Sequence, residues 1–264
     1  TFFLFPKKSG VHPFPFFCIK WPEEGISAVK SIIEAVSFTM QEEERQWFAD
    51  EIPVLRAELT TPQCCKQRSC QVARRLNRYY RQCARAFLAY CSHYLYPQAL
   101  NAFEQARQAG APLPCAAAQL HCTVTCNQNQ VLSLYIDCTE WVGTRDALTL
   151  RRADTWNLAT GDPISLKDCF PSGTKPRRRC LEAVRLQCAQ QQEAGKAIYA
   201  EHLNARLRRY FNGRNFYLSD GGLHFFYQPC CIAPALEGCP TFFLPFSPEN
   251  GPLWPLNPHQ NLAK

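Results

Sequence analysis

Charged residues, glycine and long apolar runs are all scarce in this sequence, and each shortage excludes a class of protein. Charged residues make up 19% of the 264 positions and hydrophobic residues 46%, a balance that excludes a disordered chain. Glycine occupies 12 positions, too few for a collagen-like chain. Because no run of about 18 uncharged apolar residues occurs, the sequence predicts no transmembrane helix. The signature motifs of P-loop, dinucleotide-binding, α/β-hydrolase and zinc-protease enzymes are also missing.

Cysteine, by contrast, is abundant, with 16 residues. No C-x-x-C and no H-x(3–5)-H pair occurs, and the nearest candidates are Cys64 and Cys65 with Cys70, and Cys122 with Cys126. A structural zinc ion needs four ligands at about 2.3 Å, so we predict no metal and no cofactor. Cysteines inside apolar segments are typical of small buried hydrophobic residues in a reducing compartment. The alternatives are redox or metal chemistry, or a Cys–His dyad assembled by the fold.

Met40 is the only methionine in the chain. We predict that the native protein begins there, so that residues 1–39 are upstream sequence within an N-terminal extension over 1–49. The aromatic, proline-rich residues 1–21 lack the long apolar core of a signal peptide. The cysteine content and this missing signal favour the cytoplasm.

Hydrophobic periodicity predicts an α+β fold. Helical spacing covers residues 25–50, 70–95, 97–109 and 177–211. Strands are predicted at 51–59, 119–126, 131–141, 147–158, 214–219, 223–228 and 241–246. Pro53 places the first of these at a sheet edge. We expect an antiparallel sheet of about six strands packed against three main helices, 70–95, 97–109 and 177–211.

The predicted helices and strands divide the chain into successive units. An N-terminal half of the module, with a strand, two helices and a β-hairpin, is predicted at 50–145. A C-terminal domain follows at 146–248, and an irregular tail at 249–264.

The net charge of +7, from 29 basic and 22 acidic residues, favours anionic partners. Every charged residue from Lys66 to Arg85 is basic, and Tyr79 and Tyr80 lie among them. The candidate binding residues are a helical stripe, Arg74, Arg78, Arg81 and Arg85, and a helix start, Arg177, Arg178 and Arg179. Both groups could contact phosphates of nucleic acid, lipid or a wall polymer. The alternative is the solvated face of a packed amphipathic helix.

Two longer motifs carry more information than these charges. The first, residues 156–170, contains Asn157, Thr160, Gly161, Leu166, Asp168 and Phe170. The second, residues 215–240 running on to Pro245, contains Asp220, Gly222, Leu223, Pro229, Ile232, Ala233, Pro234 and Gly238. Their glycines, prolines and capping residues indicate turn geometry rather than a nucleophile, a base or a metal shell.

Both motifs resemble the C-terminal domain family of RsiV, an anti-sigma factor whose outer domain senses lysozyme. The same domain accompanies PdaC-type peptidoglycan deacetylases. The resemblance covers about residues 119–247. It favours an extracytoplasmic location, whereas the cysteine content favours the cytoplasm. The chain departs from the family pattern at Cys230 or Cys231 and at Ala235, where tyrosines are expected.

The resemblance implies a non-catalytic module that recognises a macromolecule, in envelope sensing, with a protein or an anionic polymer as partner and no small-molecule substrate. Aromatic residues near Phe225, Phe226 and Tyr227 are candidates for such a contact. Lysozyme is disfavoured because a +7 chain repels a basic protein. The alternatives are an anion-binding protein that acts through the basic helix and, third, a cysteine-dependent enzyme.

Overall fold

The structure, a computed structural model, describes residues 35–65, 71–141, 147–249 and 251–256. The predicted α+β class is confirmed, but these residues form eight strands in two sheets rather than one sheet of about six. The first sheet contains β1 (Phe38–Ala49), β2 (Ile52–Cys64), β3 (Ala116–Gln128), β4 (Val131–Trp141) and β5 (Leu148–Asn157). The second contains β6 (Phe216–Ser219), β7 (Gly222–Phe226) and β8 (Thr241–Pro245).

Strands follow chain order in both sheets, and all neighbours are antiparallel except β2 and β3. Parallel neighbours require a long crossover. Here the crossover consists of α1 (Gln71–Tyr90), a π-helical turn (Cys91–Leu95) and α2 (Tyr96–Gln108), so the predicted helices 70–95 and 97–109 are confirmed. No described helix is long and apolar enough to cross a bilayer.

The predictions for the first two strands were partly wrong. The described part of the predicted helix 25–50 forms β1, an edge strand whose exposed acidic run hides the alternation that would mark a strand. The predicted strand 51–59 extends to Cys64 as β2, and it lies inside the sheet rather than at its edge. Pro53 is tolerated because β3 begins to pair with β2 only at Leu55.

The N-terminal end of β1 is already part of the packed structure. Val36 is buried, and its N–H donates to Asn127 Oδ1 at 3.0 Å. Met40 lies within β1, opposite Pro62. The predicted boundary after residue 49 falls at the β1–β2 turn, and the one after residue 145 lies outside the described residues.

The predicted helix 177–211 is interrupted. It forms α3 (Pro176–Glu193) and the short α4 (Leu203–Arg209). Gly195, with a φ of +62°, follows the end of α3 in the left-handed conformation that stops a helix and suits glycine.

Two hydrophobic cores hold these layers together. One lies between α1 and the inner face of the first sheet, and the other between α3, α4 and the second sheet. Two hydroxyl groups join the two sheets at Leu218, whose N–H donates to buried Ser133 Oγ at 2.9 Å and whose carbonyl accepts from partly buried Thr125 Oγ1 at 2.7 Å.

Candidate recognition surface

The face of the first sheet that points away from α1 carries two polar rows, each of which crosses all five strands. Cross-strand pairing aligns the first row as Glu42, Thr60, His121, Asp137 and Arg151. It aligns the second row as Glu44, Glu58, Gln119, Thr139 and Thr149. Because side chains alternate along a strand, the neighbouring positions Leu59, Leu120, Cys138 and Leu150 point to the helices and are buried.

None of the ten side chains in the polar rows is buried. Strands lie about 4.8 Å apart, so each row is roughly 20 Å long. The rows hold four carboxylates and one guanidinium, a net charge of −3 with His121 neutral, and neighbouring Arg56 brings it to −2. The polar rows are therefore acidic on a protein whose net charge is +7.

Arg151 and Asp137 form the fixed end of the first row. Two guanidinium nitrogens of Arg151 donate to the two Asp137 carboxylate oxygens, each at 2.8 Å. The guanidinium carbon lies 4.0 Å from the Tyr135 ring centroid, a cation–π contact. Burial lowers the pKa of Arg151, but the hydrogen bonds and charge of Asp137 outweigh it, and the net shift is upward.

The other end of the rows is more open. Arg56 lies between Glu44 and Glu58, at N–O distances of 3.2 and 2.8 Å, and all three side chains are about half exposed. Exposed pairs of this kind contribute little to stability because water screens them. Their charges therefore remain available to a partner.

A ladder of four rings in contact borders the polar rows on the side of the second sheet. Ring centroids are 5.1 Å apart for Tyr135 and Tyr217, 4.7 Å for Tyr217 and His224, and 4.9 Å for His224 and Phe243. Phe243 ends the ladder with 41% of its surface exposed. The ladder gives the acidic surface an aromatic border.

Alternation predicted that about half of the aromatic residues near Phe225, Phe226 and Tyr227 lie in the core, and the structure buries all three of these residues. They lie on or directly after β7, the middle strand of its sheet, and both faces of that strand are covered. Phe225 stacks on Phe211 with centroids 4.9 Å apart, while Phe226 faces Arg151.

His224 should make stability depend on pH. Burial lowers the pKa of its imidazole, and its Nε2 lies 3.0 Å from Ser219 Oγ. The unfolded chain therefore binds the proton more readily, so this contribution is complete above about pH 6.5 and is lost as the pH falls below that value. We expect His224→Gln to reduce the loss of unfolding free energy between pH 7.5 and 5.5, measured by urea denaturation. The control is exposed His93→Gln; equal pH dependence in wild type and His224→Gln would contradict the assignment.

The predicted basic stripe is exposed on α1: Arg74, Arg78, Arg81 and Arg85. Tyr79 and Tyr80, predicted to lie among these charges, are turned inward. Tyr80 Oη accepts a hydrogen bond from Trp156 Nε1 at 2.7 Å, and Tyr79 Oη donates to Asp154 at 3.2 Å.

A groove of about 640 Å³ separates the basic stripe from β1. Arg81 and Arg85 line it on one side, Glu43 and Arg45 on the other, with Leu59 between. It holds charges of both signs, so it favours no single class of ligand.

The second predicted group of basic residues, at the start of α3, has partners within the protein. Arg177 donates to the carbonyl of Arg208 at 2.8 Å, at the end of α4. Arg178 and Arg179 contact Glu182 one turn along α3, at 3.2 and 3.7 Å. These contacts offset the unfavourable charge at the start of α3 without requiring a ligand.

The first motif shapes the turn after β5. Asn157 Oδ1 accepts the N–H of Ala159, and Thr160 Oγ1 accepts that of Asp162. Gly161 has a φ of +75°. Asp168 accepts hydrogen bonds from the Ser165 N–H and hydroxyl, which caps a short helical turn, while Leu166 and Phe170 are buried.

The second motif shapes the hairpin of β6 and β7 and the loop that leads to β8. Asp220 accepts a hydrogen bond from Gln128, and Gly222 lies opposite Pro245. Buried positions are Leu223, Pro229, Ile232 and Ala233, while Pro234 is exposed and Gly238 has a φ of +61°. The contacts described for both motifs shape turns, a cap and strand pairing.

The 14 described cysteines are free thiols, and nine of them are buried. Burial raises the pKa of Cys122 and Cys138 to about 12 and that of Cys126 and Cys188 to about 11. Thiols this weakly acidic are protonated at neutral pH and pack as small apolar side chains. No group of three or more metal-binding side chains occurs among the described residues.

Comparison with known proteins connects part of the chain to a family. Residues 167–247 match the model of a family described as a protein of unknown function, DUF3298. No curated protein matches the chain. A DUF3298 structure from Bacteroides fragilis is similar, with 16% identity, a TM-score of 0.59, and coverage of 80% of this chain and 91% of that one. Another, from Pseudomonas aeruginosa, has 12% identity, a TM-score of 0.47, and coverage of 81% and 91%.

Proposed function

We propose that this protein is a non-catalytic recognition module that binds a basic protein through the two polar rows. The observation that carries the proposal is the continuous polar surface, five strands wide, on which no side chain of the rows is buried. The second sheet packs on this face at the end that holds Ser133, Tyr135 and Arg151. In an antiparallel or mixed sheet, the part of a face that no other layer covers carries polar side chains. Such a face provides polar groups of the kind that the rim of a protein–protein interface contains.

The charge of the polar rows favours a basic partner. The objection to lysozyme rested on the net charge of +7 for the whole chain, which disfavours association with another basic protein. The rows instead present carboxylates, including exposed Glu42 and Glu44 and half-exposed Glu58. A basic protein that approaches from this side meets charge of the opposite sign. Lysozyme, the partner that the RsiV resemblance implies, is therefore the first protein to test.

Reactive chemistry has less support. Burial raises the pKa of the Cys122, Cys138 and Cys180 thiols, and these thiols are poor nucleophiles in that state. The turn and capping geometry of the motifs is explained by the fold. Surface recognition requires none of these thiols.

Binding to an animal-type lysozyme tests the proposal. We expect Glu42→Lys/Glu58→Lys to weaken binding at least tenfold, mostly through a slower association rate, because charge of like sign then faces the partner. The matched control is Glu104→Lys/Glu193→Lys, which makes the same change in net charge at exposed helical positions. Biolayer interferometry at two salt concentrations gives both rates.

Two results would contradict the proposal. If both double variants weaken binding equally, the net charge of the protein and not the polar rows determines association. If the wild-type protein binds neither lysozyme nor the basic members of a panel of basic and acidic proteins, the polar rows do not recognise a basic protein.

A further inference from the structure

We propose that the basic stripe on α1 docks this protein on the surface of an anionic phospholipid bilayer. The inference is independent of the proposed function, because it concerns the opposite side of the molecule. The basic stripe belongs to the helix layer, whereas the polar rows lie on the sheet face that points away from that layer. A protein docked through α1 therefore keeps its polar rows accessible except at Glu42, which also lines the groove beside α1.

The geometry of the basic stripe suits a flat surface. Its residues follow one another at intervals of four, three and four, which places them within a sector of about 60° along roughly 16 Å of helix. All four are exposed. The other side of α1 is fixed by buried Leu76, Tyr80, Cys83 and Phe87, so the helix cannot turn the stripe away from the surface.

The electrostatic surroundings strengthen the attraction. No acidic residue occurs from Leu59 to Phe103, which includes the whole of α1, the π-helical turn and the start of α2. The acidic side chains nearest in the groove are Glu42 and Glu43 of β1, and Glu43 already contacts Arg45 at 3.2 Å. Each arginine near an anionic leaflet strengthens binding roughly fivefold at physiological salt.

The structure favours a lipid surface over single-stranded nucleic acid. Single-stranded nucleic acid is held by aromatic side chains on which bases stack. The tyrosines next to the stripe, Tyr79 and Tyr80, are 9% and 1% exposed, so neither presents its ring to a base. What remains is a straight row of guanidinium groups that contacts phosphates without selecting a base.

Vesicle co-sedimentation tests the inference with the full chain. We expect binding to vesicles of phosphatidylcholine with 40% phosphatidylglycerol, and none to phosphatidylcholine alone. Arg74→Gln/Arg81→Gln/Arg85→Gln should lose roughly 100-fold in affinity, since three arginines are removed. The control, Arg178→Gln/Arg208→Gln/Arg209→Gln, removes the same charge from exposed positions of α3 and α4 and should stay within a few fold of wild type.

The outcomes separate the possible explanations. Equal losses in the two triple variants would show that binding follows net charge, and would overturn the assignment to α1. Binding to duplex DNA or polyphosphate at least as tight as to vesicles, at equal phosphate and salt, would overturn the lipid as ligand. Should the triple variant fail to fold by circular dichroism, Arg85→Gln alone decides: a roughly fivefold loss supports the proposal, and an unchanged affinity refutes it.

Discussion

Replacing Gly222 with alanine is expected to cost on the order of 3 kcal/mol or more of unfolding free energy, because β8 passes directly over this residue. A Cβ atom at Gly222 would lie 2.3 Å from the carbonyl oxygen of Leu244 and 2.9 Å from the Cα of Pro245. Both atoms belong to the backbone, so the strand pairing itself would have to shift. Urea denaturation followed by circular dichroism measures the change.

The neighbouring glycine provides a matched control. A Cβ at Gly221 would meet only the Phe243 ring, at 3.6 Å, an ordinary van der Waals distance, and its φ is not in the left-handed region. Gly221→Ala should therefore change stability by less than about 1 kcal/mol, since the reduced entropy of the unfolded chain offsets any small adjustment. Equal effects at the two positions would show that β8 does not approach β7 as described.

The hairpin illustrates what local sequence can and cannot predict. Asp220, Gly221 and Gly222 predicted a turn between two strands, and the structure confirms it. The sequence could not distinguish the two glycines. Gly222 must lack a Cβ because β8, about 20 residues further along the chain, passes close to it. Turn geometry depends on neighbouring residues, whereas close approach depends on strand pairing.

The same distinction explains which surface was predicted. The basic stripe repeats at helical spacing within one element, so its exposure on α1 could be predicted. The first polar row depends on the parallel pairing of Thr60 with His121, and all of α1 and α2 lies between these two residues. Alternation along residues 119–126 indicated a polar face on β3 alone. Nothing local aligned that face with Glu42 or Arg151.

Trp156, the first residue of the first motif, should be the most sensitive aromatic position in the helix-side core. It is 2% exposed, its ring packs edge-on against Tyr79 with centroids 5.1 Å apart, and its Nε1 donates to Tyr80 Oη. Trp156→Ala is expected to cost about 3–5 kcal/mol, because it leaves a cavity and removes the donor to a buried hydroxyl. Denaturant unfolding monitored by circular dichroism gives the value.

Two further variants divide this loss into its parts. Trp156→Phe keeps an aromatic ring but removes the donor, and should cost about 1–3 kcal/mol, the typical penalty for a buried group left without its partner. Trp141→Ala, at a 38% exposed position at the end of β4, should cost clearly less than Trp156→Ala because part of that ring already contacts water. If Trp141→Ala were the more damaging change, the first core would not be organised around the contact between α1 and β5. Comparing the losses of unfolding free energy in Trp156→Ala, Trp156→Phe and Trp141→Ala therefore tests whether the first motif holds α1 against the inner face of the sheet. That contact also fixes the direction in which α1 presents the basic stripe.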